Sequence, residues 1–359
     1  MFPWPIGQYP NGAMFGAGKV MRFRFLKDPQ SSIAGSNPNA LLENLGGPAC
    51  ILFSGKDSTR TRAVVTLLHG NEPSGFFALH RWLHAGHKPA VNLLFIVASV
   101  HAALEPPRFS HRMLPRARDL NRCFSPPFDD EQGRLAQEIL ELLRVHRPEA
   151  VVDMHNTSGS GPSFGVCTHL DRQHDALVSI FTRRLVVSHL NLGALMDISD
   201  TSCPTVTIEV GGRLDDDAHE LAYEGLQRYA LAERVLANDD ETDWGIEILR
   251  DPIRLELREG VTLAYDEAPR PGHDITLRVD IEHHNFGAVS SDTPLGWARD
   301  TPQSLFKATD AFGRCAVNAL VRCENGVLFP SCSLKLFMIT TNAGIAESDC
   351  LFYAVAAGT

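Results

Sequence analysis

Short apolar runs alternate with amphipathic segments from residue 46 to about 240, and this rhythm limits the fold more than any other feature. The runs fall at 50–53, 63–68, 91–98, 150–154 and 205–210, with helical candidates between them at 73–85, 131–146, 171–187 and 215–237. In the 131–146 segment Leu135, Ile139, Leu142 and Leu143 recur at helical spacing. Leu221, Leu226, Tyr229 and Val235 do roughly the same in the last segment. Strands that alternate with helices form a sheet whose two faces are both covered. The pattern predicts an α/β fold: a mostly parallel mixed sheet flanked by helices.

The rhythm stops near residue 245. Short runs at 253–257, 275–281, 315–321, 334–340 and 351–356, separated by Gly, Pro, Asn and Asp, predict a smaller C-terminal all-β domain. The acidic, turn-forming stretch 238–243 reads as a linker, which places the domains at 1–243 and 244–359. The second is expected to shape the entrance to a site in the first. Within the first, residues 1–45 read as loop except for a strand over 20–25. A length of 359 residues suits two domains.

Lys and Arg number 33 against 43 Asp and Glu, a formal net charge of −10. Nucleic acids and anionic membranes are bound by basic surfaces, so neither is expected as a partner. The eight cysteines contain no Cys-x-x-Cys pair and read as mostly buried apolar thiols. The N-terminus lacks a basic start followed by an apolar run, and the apolar stretch 91–104 is interrupted by Asn92, Ser99 and His101. A cytoplasmic protein is the expectation, and a homo-oligomer is compatible with it.

Three apolar runs end in residues that bind metals or move protons. Residues 63–68 lead into His69-Gly70-Asn71-Glu72-Pro73, residues 150–152 into Asp153-Met154-His155-Asn156-Thr157, and residues 205–208 into Glu209-Val210-Gly211-Gly212. In an open α/β sheet, ligands bind outside the carboxyl ends of the strands. Two His and one Glu form a common catalytic zinc set with an open position for water. His69, Glu72 and His155 are therefore the candidate ligands. Glu209 is the candidate general base, and Asp153 could hold a ligand histidine in its metal-binding tautomer. A lone His-x-x-Glu arises often by chance; its place at a strand-to-helix junction gives it weight. Glu282-His283-His284 is read as an exposed strand end instead of a metal site.

A fourth segment concentrates positive charge in this acidic chain: Arg112, Arg116, Arg118 and Arg122. Guanidinium groups pair with carboxylates through two parallel hydrogen bonds, which suits an anionic substrate. The simpler reading is a solvated loop with surface ion pairs.

Together, His69-Gly-Asn-Glu72, Asp119-Leu-Asn121-Arg122-x-Phe124, Asp153-Met-His155-Asn-Thr and Glu209-Val-Gly resemble the succinylglutamate desuccinylase/aspartoacylase family, of the zinc-carboxypeptidase-like fold. A weaker likeness continues through Asn285-Phe286 and Asn325–Pro330. The resemblance implies one zinc ion per chain on His69, Glu72 and His155, with Glu209 as the catalytic carboxylate. It implies that Asn121 and Arg122 hold a substrate carboxylate. Leu114 stands where the family has an arginine that polarises the scissile carbonyl, which leaves Arg112 as the candidate and Arg116 as its rival, otherwise a substrate contact. Asn156 is a further candidate for substrate binding. The implied activity is zinc-dependent hydrolysis of the amide in a small, anionic N-acyl amino acid. Alternatives are a zinc carboxypeptidase acting on a small peptide and a metal-retaining binding protein without catalysis.

Overall fold

The computed structural model describes residues 14–15, 19–20 and 22–357, except 158, 190, 191, 238, 240, 311 and 349. Most of residues 1–18, Met21 in the expected strand and two residues of the expected linker lie outside the described residues. The chain divides into two compact units. The first comprises Met1–His155, Leu192–Thr207 and Ala222–Leu236, and the second Asn156–Asn191, Ile208–Leu221 and Ala237–Thr359.

In chain order, the α/β elements begin with β1 (Arg24–Lys27), α1 (Pro38–Leu45), β2 (Ala49–Phe53), β3 (Asp57–Thr66) and α2 (Ser74–Ala85). There follow β4 (Val91–Val97), α3 (Val100–Leu104), α4 (Glu131–His146), β5 (Val151–Thr157) and β6 (Phe164–Cys167). Last come α5 (Arg172–Ser179), β7 (Arg184–Val187), β8 (Thr205–Gly212), α6 (Asp216–Leu231) and β9 (Glu247–Arg250). They form a large mixed sheet with flanking helices. Within the first unit the strand order is β8, β5, β3, β4, β2, β1. There β3 pairs parallel with β4 and β5, while β2 runs antiparallel to β4. Within the second unit the order is β9, β7, β6, β8, with β7 parallel to both β9 and β6.

Helix ends follow local chemistry. Asn37 caps α1 by accepting from the Ala40 N–H, Pro38 occupies its first position, and left-handed Gly46 ends it. Asp130 caps α4 by accepting from Gly133 N–H, and Leu135, Ile139, Leu142 and Leu143 are buried on its inner face. They share a core with Val65, Ile96, Val151 and Leu195.

The remainder of the second unit holds two five-stranded sheets together with short helices at Pro302–Leu305, Val317–Leu320 and Ala343–Ser348. The antiparallel one contains β10 (Ile253–Leu257) and also Phe306–Lys307, Leu334–Phe337, Phe352–Ala356 and Ala288–Val289. The other contains Leu263–Asp266, Ile275–Arg278, Gly296–Ala298, Val321–Glu324 and Val327–Pro330. Leu255, Ile275, Phe306, Leu328, Leu336 and Phe352 are members of one buried cluster. These sheets agree with the expected C-terminal β structure.

Three expectations need correction. Residues 31–45 are not loop, because a 3-10 turn at Ser31–Ala34 and α1 occupy them. Arg24–Lys27 is the strand near the predicted 20–25 run. The expected helix 171–187 is two elements, α5 and then β7. Leu185, Val186 and Val187 suit a strand buried on both faces, and parallel neighbours on either side supply the ladder.

Candidate metal centre

His69 and Glu72 flank the tight turn that follows β3. The Glu72 N–H donates to His69 O at 3.2 Å, and Gly70 N–H donates to Arg112 O at 2.9 Å. A side chain at Gly70 would meet Ala103 N and His111 O at 2.7 Å, so the close approach of two backbone segments requires glycine. The turn aims both side chains at the end of β5, where His155 lies. His69, Glu72 and His155 each offer a ligand atom, and these atoms lie within 4.8 Å of one another. All three are buried, at 3%, 7% and 3% exposure.

The contacts around the trio have a regular logic. Glu72 places Oε1 2.8 Å from His69 Nδ1 and Oε2 2.7 Å from His155 Nδ1. The opposite ring nitrogens are held by other carboxylates. His69 Nε2 donates to Asp119 Oδ1 and His155 Nε2 to Asp153 Oδ2, each at 2.8 Å. Each histidine is thereby anchored at Nε2 and turns Nδ1 towards the common centre. This is the arrangement in which an outer carboxylate fixes the tautomer and raises the basicity of a metal-binding imidazole. Burial alone would push both histidines down in pKa, but the flanking carboxylates outweigh it and both are raised. Burial would likewise push Glu72 up, yet the two histidines hold it well below the ordinary carboxylate range. Two imidazole nitrogens and a carboxylate, buried and oriented by further carboxylates, fit zinc in donor type and number. The unexpected member is Asp119, whose place in the Asp119-Leu120-Asn121-Arg122 motif was the signal that could have revealed it.

Arg112 belongs to this cluster. Its guanidinium donates to Asp119 Oδ2 at 2.9 and 3.2 Å and to Glu72 Oε1 at 3.3 Å. The four arginines of the segment have different fates. Arg118 pairs with Asp130, the cap of α4. Arg116, in a left-handed turn with φ +68°, and Arg122 are exposed, and among the described residues neither pairs with a carboxylate. Asn121 is buried, and its Oδ1 accepts from Leu195 N–H at 2.9 Å. That bond engages the amide oxygen, so Nδ2 is the donor end of the side chain.

Glu209 and Asn156 belong to the second unit. Glu209 is half-buried on β8. Asn156 Nδ2 donates to the carbonyl of Gly211 at 2.9 Å. Gly211 has φ +119°, where a side chain is strained, and a Cβ there would approach Gly161 O to 3.0 Å. Glu282 accepts from both the N–H and the hydroxyl of Thr341. Residues Ile281–His284 form a 3-10 turn, not the strand end expected for the 282–284 triplet.

A buried His-Glu-His set at the strand ends of a mixed sheet defines an α/β protein with a candidate metal centre. Residues 58–231 match the model of the succinylglutamate desuccinylase/aspartoacylase catalytic domain. Among solved structures it is similar to a succinylglutamate desuccinylase/aspartoacylase from Rhodobacter sphaeroides, at 13% identity and a TM-score of 0.51. That match covers 81% of this chain and 83% of the other. A Shewanella frigidimarina NCIMB 400 structure titled with the same family name is 12% identical, with a TM-score of 0.52, covering 86% of this chain and 92% of that one. At these identities the likeness speaks for the fold. Comparison with curated proteins finds no match. Among the described residues no helix is long and apolar enough to cross a membrane.

Proposed function

We propose that this protein is a zinc-dependent amidohydrolase acting on a small anionic N-acyl amino acid. The observation that carries the proposal is the buried His69–Glu72–His155 set, with each histidine anchored by its own aspartate. In this reading those three residues hold one zinc ion per chain. When bound, zinc supplies Lewis acidity and lowers the pKa of water at the site to about 7. Glu209 accepts a proton from the attacking water and passes it to the leaving amine. Arg112 is the side chain that steadies negative charge on the carbonyl oxygen. It already donates to Glu72 and Asp119, so its guanidinium is pre-positioned. Asn121, whose amide oxygen is engaged by Leu195 N–H, and the exposed Arg122 and Arg116 receive the substrate carboxylate. Asn156 is a further substrate contact.

The experiment is a hydrolysis screen over N-acetyl, N-succinyl and N-formyl amino acids with zinc present, run beside dipeptides. Turnover of an acyl amino acid is expected, together with a fall of about 10²–10⁴ in kcat for Glu209→Gln at unchanged metal content. Turnover confined to dipeptides would replace this reading with a carboxypeptidase. An unimpaired Glu209→Gln would remove the proposed base.

A further inference from the structure

Helix α2 carries imidazoles that the His69–Glu72–His155 set does not use. His80 and His84 are four residues apart, the spacing that places side chains above one another on one helix face. Their ring centroids are 4.6 Å apart, with the planes at 69°. His84 Nε2 lies 3.0 Å from Gly35 O, at the end of the Ser31–Ala34 turn. Gly35 has φ +63°, and a Cβ there would meet Ala40 Cβ at 2.5 Å, so the carbonyl is presented by a backbone that only glycine fits. The Nε2 atom of His80 is buried and has no hydrogen-bond partner among the described residues. A buried polar nitrogen left without a partner calls for an explanation. Burial and the neighbouring His84 outweigh the opposing approach of the Gly35 backbone and hold the His80 pKa below its ordinary value. The next histidine behaves differently: His87 Nε2 is in contact with the Gln227 amide.

We propose that His80, His84 and the Gly35 carbonyl oxygen form a second metal site, one that takes a late first-row divalent cation. Imidazole nitrogen suits Zn²⁺, Ni²⁺ and Cu²⁺, and the stability order of divalent ions puts Cu²⁺ first. Ca²⁺ and Mg²⁺ prefer sets of oxygen donors rich in carboxylate, which this group is not. The exposure of His84 leaves the remaining coordination positions to water, so the ion exchanges with the medium. All three groups lie in the first unit, and the site stands on their geometry independently of the hydrolase reading.

The test is titration of zinc-loaded protein with Cu²⁺, with bound copper and retained zinc counted and nitrogen couplings read by electron paramagnetic resonance. Wild-type protein takes up copper with the signature of two imidazole nitrogens and keeps its zinc. His84→Ala, at an exposed position that leaves the core intact, loses that copper and keeps zinc. His80→Ala behaves alike, and His87→Ala behaves as wild type. Equal copper uptake and spectra in His84→Ala and wild type would overturn the site, as would copper that enters only as zinc leaves.

Discussion

Asp119 and Asp153 show how much of a metal centre lies behind its ligands. Each binds the Nε2 of one histidine, and the pair settles which nitrogen each ring turns inward. Asp119 also accepts from Arg112 and from Asn121 N–H, so one carboxylate links the candidate metal ligand, the arginine and the loop that carries Asn121 and Arg122. Burial would raise its pKa, but His69 and Arg112 together drive it below the ordinary carboxylate range. Asp119→Asn is expected to weaken zinc binding about 10- to 100-fold, measured by chelator competition. An unchanged affinity would mean the aspartate does not orient His69. Asn121 makes a sharper case. An aspartate there can still accept from Leu195 N–H, so the fold should survive, but it presents a carboxylate where an N–H stood. Asn121→Asp should raise KM for anionic substrates about tenfold or more, with zinc content unchanged. An unaltered KM would show that the fixed amide does not meet substrate. Of this scale the sequence displayed the ligand types at strand ends and the arginine-rich loop. Which arginine was committed to which carboxylate was invisible, because Arg112 and Arg118 find partners through loop folding that no periodicity encodes.

Elements were legible in proportion to their length and to the cleanness of their pattern. The runs behind β3, β4 and β8 are longer and apolar, and α4 combines a helical period with an Asp130 cap. The strands β6, β7 and β9 have four residues each, too short to show a period. The residues of β7 continue the apolar pattern of α5, and only pairing with neighbouring strands separates the two. A buried charge is equally silent in sequence. Arg62, on β3, is fully buried, pairs with Glu149 and donates to the carbonyls of Tyr229, Ala232 and Glu233 at the end of α6. The Tyr229 carbonyl is among the orphan acceptors every helix leaves at its C-terminus, and Ala232 and Glu233 follow directly after α6. Replacing the guanidinium strands them along with Glu149, so Arg62→Met should cost about 3–5 kcal/mol in denaturant unfolding. A loss under about 1 kcal/mol would mean that water or relaxation replaces the cap.

At the scale of the molecule, a net charge of −10 coexists with a local concentration of arginine in the loop from Arg112 to Arg122, and under the proposed function only that loop has to meet an anion. The two compact units do not follow one break in the chain, since segments of the first unit return at 192–207 and 222–236. Composition shifts along a sequence cannot reveal such returns. Zinc that binds the folded chain alone must also stabilise it, by about 2.7 kcal/mol at a free concentration a hundred times the dissociation constant. The most direct measurement joins that linkage to chemistry. Metal-stripped protein is titrated with zinc while hydrolysis of N-acyl amino acids is followed, beside His155→Ala. Turnover should rise with zinc, level off at the first equivalent, and stay absent in the variant. Undiminished turnover in the stripped protein, or equal turnover in His155→Ala, would contradict a zinc hydrolase built on His69, Glu72 and His155.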